Sequence, residues 1–160
     1  MAKGIELILR EGDKAPAFKA ESQDGNQVRL SDFKGKFVVL YFYPKDNTPG
    51  CTLEALAFTQ LKQDFALQNA VILGISKDSC ASHQKFTEKQ NLGIELLSDP
   101  DSEVQKKYGA WRPKKFMGRE FMGTVRSTVL INPKGKIIKT WDNVKAKGHA
   151  EIVLEELKKS

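Results

Sequence analysis

Hydrophobic positions in the first half of the chain form near-continuous runs separated by a stretch with helical spacing. Residues 37–42 (FVVLYF) and 71–75 (VILGI) are apolar and rich in β-branched or aromatic residues, which predicts strands buried on both faces of a sheet. Between them, apolar residues recur at helical spacing from Leu53 to Phe65, with charged residues among them. The pattern therefore predicts strand, helix and strand in succession, as in an α/β sheet.

The N-terminal part has the pattern of a β-hairpin. Residues 18–20 and 28–30 lie on either side of the turn-rich segment Asp24-Gly25-Asn26. Two short strands around such a turn are typical of antiparallel pairing. We therefore expect an N-terminal β-hairpin before the first buried strand.

The second half of the chain continues the alternation of helices and strands. Asp78 or Ser79 is the expected N-cap of a helix that runs to about Gln90. Residues 110–124 predict loop or edge structure. The other predicted elements are a short strand at 96–97, a short helix at 102–108, strands at 127–131 and 136–141, and a helix from about His149 to Lys158. The order predicts an α/β fold, a central mixed β-sheet flanked by helices, and it resembles the thioredoxin-like fold.

Composition agrees with one globular domain over residues 1–160. Hydrophobic residues make up 40% and charged residues 29% of the 160 residues, and the net charge is +6. The positive residues are spread along the chain, which favours a solvated surface over a nucleic-acid site. No stretch approaches the ~20 apolar residues of a membrane span. The start, MAKGIELILREGDK, is too short and too charged for a signal peptide, so we expect a cytoplasmic protein.

The two cysteines, Cys51 and Cys80, are too few for a disulfide scaffold. Each is therefore either a small buried apolar residue or a reactive group. Cys51 follows a buried strand and a Pro/Gly loop, and it begins a helix. Free backbone N–H groups and the positive end of the helix dipole favour a thiolate there. This position favours a nucleophilic role for Cys51 over a structural one.

The loop before Cys51 combines residues with distinct physical roles. Pro44 ends the strand and offers no proton, while the hydroxyl of Thr48 can bond a thiolate three residues later. Pro49 and Gly50 allow a tight turn that brings backbone amides close to the sulfur. An ordinary connection from strand to helix has similar residues, so the loop by itself leaves both readings open.

A resemblance to a known family connects these features. The segment PKDNTPGCT at 44–52 resembles the peroxiredoxin signature, in which proline, threonine and cysteine stand at fixed spacing. Residues 41–58 resemble the Q-type branch, also called bacterioferritin comigratory protein. Further segments that occur in the family's order are 12–18, 74–79, 97–100 and 126–131. The resemblance covers nearly the whole chain and implies a thiol peroxidase with a thioredoxin-like fold.

The resemblance also implies roles for individual residues. Cys51 is expected to be the peroxidatic cysteine, which attacks the peroxide and becomes a sulfenic acid. Thr48 positions the peroxide, and Pro44 shields the pocket. Arg126 stabilises the thiolate and polarises the O–O bond, as a fixed guanidinium can. Glu54 either bonds this arginine or is an acid placed in the first helical turn, where the dipole favours it.

Reduction of the sulfenic acid is less defined by the sequence. Many relatives carry a resolving cysteine five positions after the first, but this chain has Leu56 there. Cys80 is then the remaining candidate, and it needs local unwinding because a disulfide requires Cα atoms within ~7 Å. The alternative is a one-cysteine enzyme with an external thiol as resolver. The resemblance implies hydrogen peroxide and organic hydroperoxides as substrates, thioredoxin or another thiol as reductant, and a monomer without a cofactor.

Three other functions have weaker support. A disulfide reductase would use C-x-x-C, but Leu53 and Glu54 follow Cys51 without a second thiol. Cys80 and His83 have metal-ligand spacing, yet a closed zinc site needs four ligands and His149 is the one further candidate, so we expect no metal. A nucleic-acid module would use a group of cations among aromatic residues: Arg112, Lys114, Lys115 and Arg119.

Overall fold

The computed structural model describes residues 9–160. Most of the starting segment that was considered as a signal peptide, MAKGIELI, therefore lies outside the described residues. The strands are β1 (Lys19–Ser22), β2 (Gln27–Arg29), β3 (Phe37–Phe42), β4 (Ala70–Ser76), β5 (Glu95–Ser98), β6 (Trp111–Phe116), β7 (Arg119–Thr124), β8 (Ser127–Ile131) and β9 (Ile137–Trp141). The helices are α1 (Pro49–Gln60), α2 (Lys62–Leu67), α3 (Cys80–Gln90), α4 (Glu103–Tyr108) and α5 (His149–Lys158).

Seven strands form one mixed sheet in the order β2-β1-β5-β4-β3-β8-β9. Strands β3, β4 and β5 are parallel neighbours, whereas β8 and β9 run antiparallel beside β3. The predicted N-terminal hairpin is present as β1 and β2, and β1 joins it to the sheet by antiparallel pairing with β5. The mixed sheet between helices confirms the predicted fold class.

Both faces of the central strands are buried, which explains the continuous apolar run in the sequence. Val39 and Tyr41 of β3 pack on the face covered by α1, α2, α3 and α5. Val38, Leu40 and Phe42 of the same strand pack on the face covered by α4 and by the segment before β1. All five side chains are at most 1% exposed.

Two predicted elements differ from the structure. The helix expected to be continuous from 53 to 65 is broken at Leu61, whose backbone (φ −96°, ψ 5°) ends α1 and precedes α2. Residues 110–124, expected to be loop or edge structure, contain β6 and β7, which form a two-stranded hairpin outside the main sheet. Met117 and Gly118 at its turn both have positive φ, the geometry that suits a tight hairpin.

None of the helices among residues 9–160 combines the length and apolar character needed to cross a membrane.

The central pair of strands determines where distant segments meet. Because β3 and β8 are antiparallel, Phe42 at the end of β3 lies opposite Ser127 at the start of β8. The loop that follows β3 therefore adjoins the segment that precedes β8. This loop leads to Cys51, and Arg126 is the last residue before β8.

Candidate active site

Cys51 is the third residue of α1, with Thr48 as the N-cap and Pro49 as the first helical residue. Its side chain is buried, with only 2% of the residue exposed. The N-cap side chain makes no capping bond, so the first backbone N–H groups of the helix are not satisfied by it. The sulfur therefore lies at the positive end of a helix of 12 residues.

Arg126 connects the sulfur to an acidic residue. Its Nη2 donates to Cys51 Sγ at 3.4 Å, and its Nη1 donates to Glu54 Oε1 at 2.6 Å. The guanidinium packs so closely on α1 that a Cβ added to Gly50 would lie 3.1 Å from Nη2. Burial lowers the pKa of Arg126, but Glu54 and Cys51 raise it more, so the group remains a cation beside the sulfur.

Glu54 is fully buried and lies in the second turn of α1, beyond the first turn where the helix dipole acts most strongly. Its ion pair with Arg126 favours the role in which this acid bonds the arginine over the role of an acid placed only by the helix dipole. Its other oxygen, Oε2, has no hydrogen-bond partner among the described residues. Burial raises the pKa of Glu54 to about 7, although the Arg126 cation opposes the shift.

Thr48 and Pro44 belong to the segment between β3 and α1 that precedes Cys51. The hydroxyl of Thr48 donates to the carbonyl oxygen of Lys45 at 2.8 Å, so its proton is not directed at the thiol. The lone pairs of this hydroxyl remain able to accept a hydrogen bond from a bound molecule. Pro44 is partly exposed and separates the end of β3 from the loop.

Cys80 is the first residue of α3, as expected, and it is partly exposed. Its Sγ lies 3.8 Å from Glu21 Oε2 and 3.9 Å from the carbonyl oxygen of Glu21 in β1. Burial and the negative charge of Glu21 raise the pKa of this thiol. Both cysteines are free thiols in this structure, and Cys80 contacts β1 rather than the residues around Cys51.

Two basic groups that the sequence suggested for other functions, Lys114 for nucleic acid and His149 for a metal, lie near the site. The ammonium of Lys114 donates to the carbonyl oxygen of Thr124 at 2.9 Å. Burial and the charge of Arg126 lower the pKa of Lys114, whereas Cys51 opposes this shift. His149 is buried with its Nε2 2.7 Å from Thr128 Oγ1, and burial together with Arg126 lowers its pKa to about 4.

The residues considered as metal ligands each contact different protein groups. His83 contacts Asp46 and the carbonyl oxygen of Leu97, whereas His149 contacts Thr128. Cys80, three residues before His83, contacts β1 instead. The structure therefore does not bring the Cys80, His83 and His149 donors into one contact group.

The group of cations considered for nucleic-acid binding is exposed only in part. Arg112 is only 3% exposed and forms an ion pair with Asp142. Lys114 is partly buried and bonded to a backbone carbonyl. Lys115 and Arg119 lie on the β6–β7 hairpin, where Lys115 pairs with Glu120 across the strands. Two of the four cations, Arg112 and Lys114, are therefore bonded within the protein.

Two solved structures that share this fold are a peroxiredoxin and a peroxidoxin. The fold matches Xanthomonas campestris peroxiredoxin Q with a TM-score of 0.87 and 38% identity, covering 96% of this chain and 97% of that one. It also matches the peroxidoxin BcpB of Mycobacterium tuberculosis with a TM-score of 0.84 and 32% identity, covering 94% and 97% of the two chains.

Sequence comparison leads to the same class. The chain is 48% identical over 152 residues to peroxiredoxin Bcp of Bacillus subtilis, covering 95% of this chain and 97% of the relative. It is 41% identical over 150 residues to peroxiredoxin Bcp of Escherichia coli, covering 94% and 96%. The AhpC/TSA family profile matches residues 11–140. The chain thus belongs to the AhpC/TSA family and is a peroxiredoxin of the Bcp, or Q, type, a thiol-dependent peroxidase.

Proposed function

We propose that Cys51 is the peroxidatic cysteine of this enzyme. Its thiolate attacks the terminal oxygen of ROOH, the S–O bond forms as the O–O bond breaks, and RO⁻ leaves and takes up a proton to give ROH. The sulfur is oxidised by two electrons to a sulfenic acid, and the peroxide is reduced. The observation that carries this proposal is the 3.4 Å hydrogen bond from Arg126 Nη2 to a sulfur at the start of α1.

Arg126 and Glu54 act as a pair in this proposal. The guanidinium stabilises the thiolate and the negative charge that develops on the leaving oxygen. Glu54 holds the guanidinium from the other side through Nη1, so that Nη2 stays directed at the sulfur. Because a planar guanidinium donates in fixed directions, the contact with Glu54 determines where the positive charge of Arg126 lies relative to the sulfur.

Thr48 and Pro44 complete the proposed site. Since the proton of Thr48 is directed at Lys45, its oxygen accepts the hydrogen bond of the incoming peroxide O–H and so orients the terminal oxygen toward Cys51. Pro44 cannot donate a hydrogen bond and keeps that side of the pocket free of competing donors. Both roles agree with the family signature of the loop.

Hydrogen peroxide and organic hydroperoxides are the proposed substrates. The bacterioferritin comigratory protein of Xanthomonas campestris, 37% identical in sequence and with a TM-score of 0.87, is described by its alkyl peroxide reduction activity. Attack at the terminal oxygen leaves the R group out of the bond-breaking step. The same mechanism therefore serves both kinds of peroxide.

The sulfenic acid is returned to the thiol by one of two routes. In one route Cys80 attacks it, a disulfide forms and water leaves; α1 and α3 must then unwind locally at their first turns, where the two cysteines lie. In the other route an external thiol attacks Cys51. Thioredoxin or another thiol supplies the electrons in either case, and the enzyme acts as a monomer in the cytoplasm, where both cysteines stay reduced.

The experiment is the intact mass of the reduced protein after one equivalent of hydrogen peroxide, beside Cys51→Ser and Cys80→Ser. Loss of two hydrogens, absent in both variants, identifies Cys80 as the resolver. Gain of one oxygen that depends on Cys51 alone identifies a one-cysteine enzyme. Absence of any rapid change that depends on Cys51 would refute the proposed role of this residue.

A further inference from the structure

A buried polar network lies beside the proposed site and has no part in the mechanism described above. Its centre is Asp46, which belongs to the loop before α1 and is 5% exposed. Oδ1 of Asp46 accepts from Tyr43 Oη at 2.7 Å, and Oδ2 accepts from Ser82 Oγ at 2.8 Å. Oδ2 also lies 2.7 Å from Nδ1 of His83, which is fully buried.

The contacts of His83 determine how many protons the pair holds. Its Nε2 lies 3.0 Å from the carbonyl oxygen of Leu97, which can only accept, so Nε2 carries a proton. Its Nδ1 faces Asp46, so a second proton lies in the Nδ1–Oδ2 contact. With two protons, the imidazole and the carboxylate together have no net charge, which is the favourable state for a buried pair.

The network joins two segments that are distant in sequence. Asp46 precedes Thr48 by two residues and Cys51 by five, while Ser82 and His83 lie in the first turn of α3, which begins at Cys80. The backbone N–H of Asp46 also donates to Asp78 Oδ2 at 2.8 Å, just before α3. The loop is thus tied to α3 by side chains and by its backbone.

We propose that His83 is a positioning residue for the peroxidase reaction: through Asp46 it fixes the loop that carries Thr48 and leads to Cys51, and it holds this loop against the first turn of α3. This inference rests on the proposed function of Cys51. Without the pair, the loop and the first turn of α3 separate more easily. Attack on peroxide then slows, while Cys80 becomes more accessible.

Asp46, Asp78 and His83 also place one donor atom each within 4.8 Å of one another, as a small cation site would. Each of these groups already has protein partners in the network. The contacts therefore favour a proton-linked pair over a metal site.

The first test detects the ring protons of His83 directly. The ¹H and ¹⁵N spectra of selectively labelled wild-type protein should show protons on both ring nitrogens of His83, with the Nδ1 proton strongly shifted downfield. In Asp46→Asn the Nδ1 proton should be lost and the Nε2 proton retained. A single protonated ring nitrogen in the wild type, with Nδ1 bare, would overturn the proposal.

The second test measures the two expected effects separately. His83→Leu and Asp46→Asn should each lower the second-order rate constant of Cys51 with hydrogen peroxide about tenfold in a Cys80→Ser background. In a Cys51→Ser background, each should raise the alkylation rate of Cys80 about tenfold. The double variant should be no more than about twofold worse than the stronger single variant, because the two residues act as a unit.

The matched control is Tyr108→Phe, which removes one hydrogen bond to the carbonyl oxygen of Pro16 on the opposite face of the sheet. It should leave both rates within twofold of the wild type. The proposal fails if folded His83→Leu or Asp46→Asn has wild-type rates, or if Tyr108→Phe changes them equally. If instead Cys51 is not the peroxidatic cysteine, Cys51 of the wild type would not react with hydrogen peroxide. The alkylation rate of Cys80 would still report on the His83–Asp46 pair.

Discussion

Gly50 and Arg126 approach each other so closely that any side chain at position 50 would meet the guanidinium. A Cβ there would lie 3.1 Å from Nη2, the same nitrogen that donates to Cys51 Sγ. Gly50 does not have a positive φ, so the backbone itself does not require glycine. The space taken by the Arg126 guanidinium accounts for the glycine at this position.

Gly50→Ala should therefore lower activity more than stability. The added methyl group displaces Nη2 by a few tenths of an ångström, and we expect the rate constant of Cys51 with hydrogen peroxide to fall about tenfold. Stopped-flow kinetics and thermal unfolding measure the two effects. Gly93→Ala is the control because its Cβ would meet its nearest neighbour, Lys62, at 3.4 Å, an ordinary contact. Equal rates for Gly50→Ala and wild type would contradict this reading.

Arg126→Lys should reduce the same rate constant by about 10²–10³-fold. Lysine keeps the charge but cannot donate to Cys51 and Glu54 at once in fixed directions. Steady-state and single-turnover rates with a thiol donor measure the effect. Arg119→Lys, at an exposed position of β7, should have wild-type rates. A loss of less than threefold for Arg126→Lys would mean that charge alone is sufficient.

Glu54→Gln should change how stability depends on pH. The folded-state pKa of Glu54 is raised to about 7 by burial, so its contribution is present below pH 4.5 and is lost as the pH rises through 7. Relative to Glu54→Gln, the wild type should lose about 2.5 kcal/mol of unfolding free energy between pH 5 and pH 8. Urea denaturation at both pH values measures this difference, and parallel curves for the two proteins would contradict it.

His149 should have the opposite pH dependence. Its folded-state pKa is lowered to about 4 by burial and by Arg126, so its contribution is present above pH 6.5 and is lost as the pH falls through 4. His149→Gln keeps a polar partner for Thr128 but does not titrate. Compared with this variant, the wild type should lose about 2 kcal/mol between pH 8 and pH 5 in urea denaturation. An unchanged difference at the two pH values would show that His149 does not titrate in this range.

Tyr41→Phe should stabilise the protein by about 1 kcal/mol, because the hydroxyl of Tyr41 is buried and has no hydrogen-bond partner among residues 9–160. Thermal and urea denaturation measure the change. Tyr108→Phe is the matched comparison, since it deletes a hydroxyl that donates to Pro16 at 2.6 Å, and it should destabilise by a similar amount. If both substitutions destabilise equally, then an unseen partner satisfies Tyr41.

Local patterns were sufficient to predict most of the sheet and the last helix. Residues 37–42 form β3 with the predicted bounds, because a strand buried on both faces needs an apolar side chain at every position. The final helix also has its predicted bounds of His149–Lys158. The break at Leu61 was missed because helical spacing continues across it and Phe65 of α2 is buried as a continuous helix would require.

The site required information that local patterns do not contain. The position of Cys51 at the start of a helix was predicted from its own neighbours, whereas the role of Arg126 came from the family resemblance alone. The contact of Asp46 with His83 spans 37 residues and was not predicted at all. A histidine on a helix has no sequence signature that names its partner, because the partner is selected by the way α3 packs beside the loop.

The antiparallel pairing of β3 with β8 has a consequence for the newly made chain. Cys51 leaves the ribosome 75 residues before Arg126, and the two meet only when the last central strand has joined the sheet. Until then the thiol has neither its guanidinium partner nor its buried pocket. We therefore expect a chain that ends before β8 to lack peroxidase activity, because Arg126 is not yet in place beside Cys51.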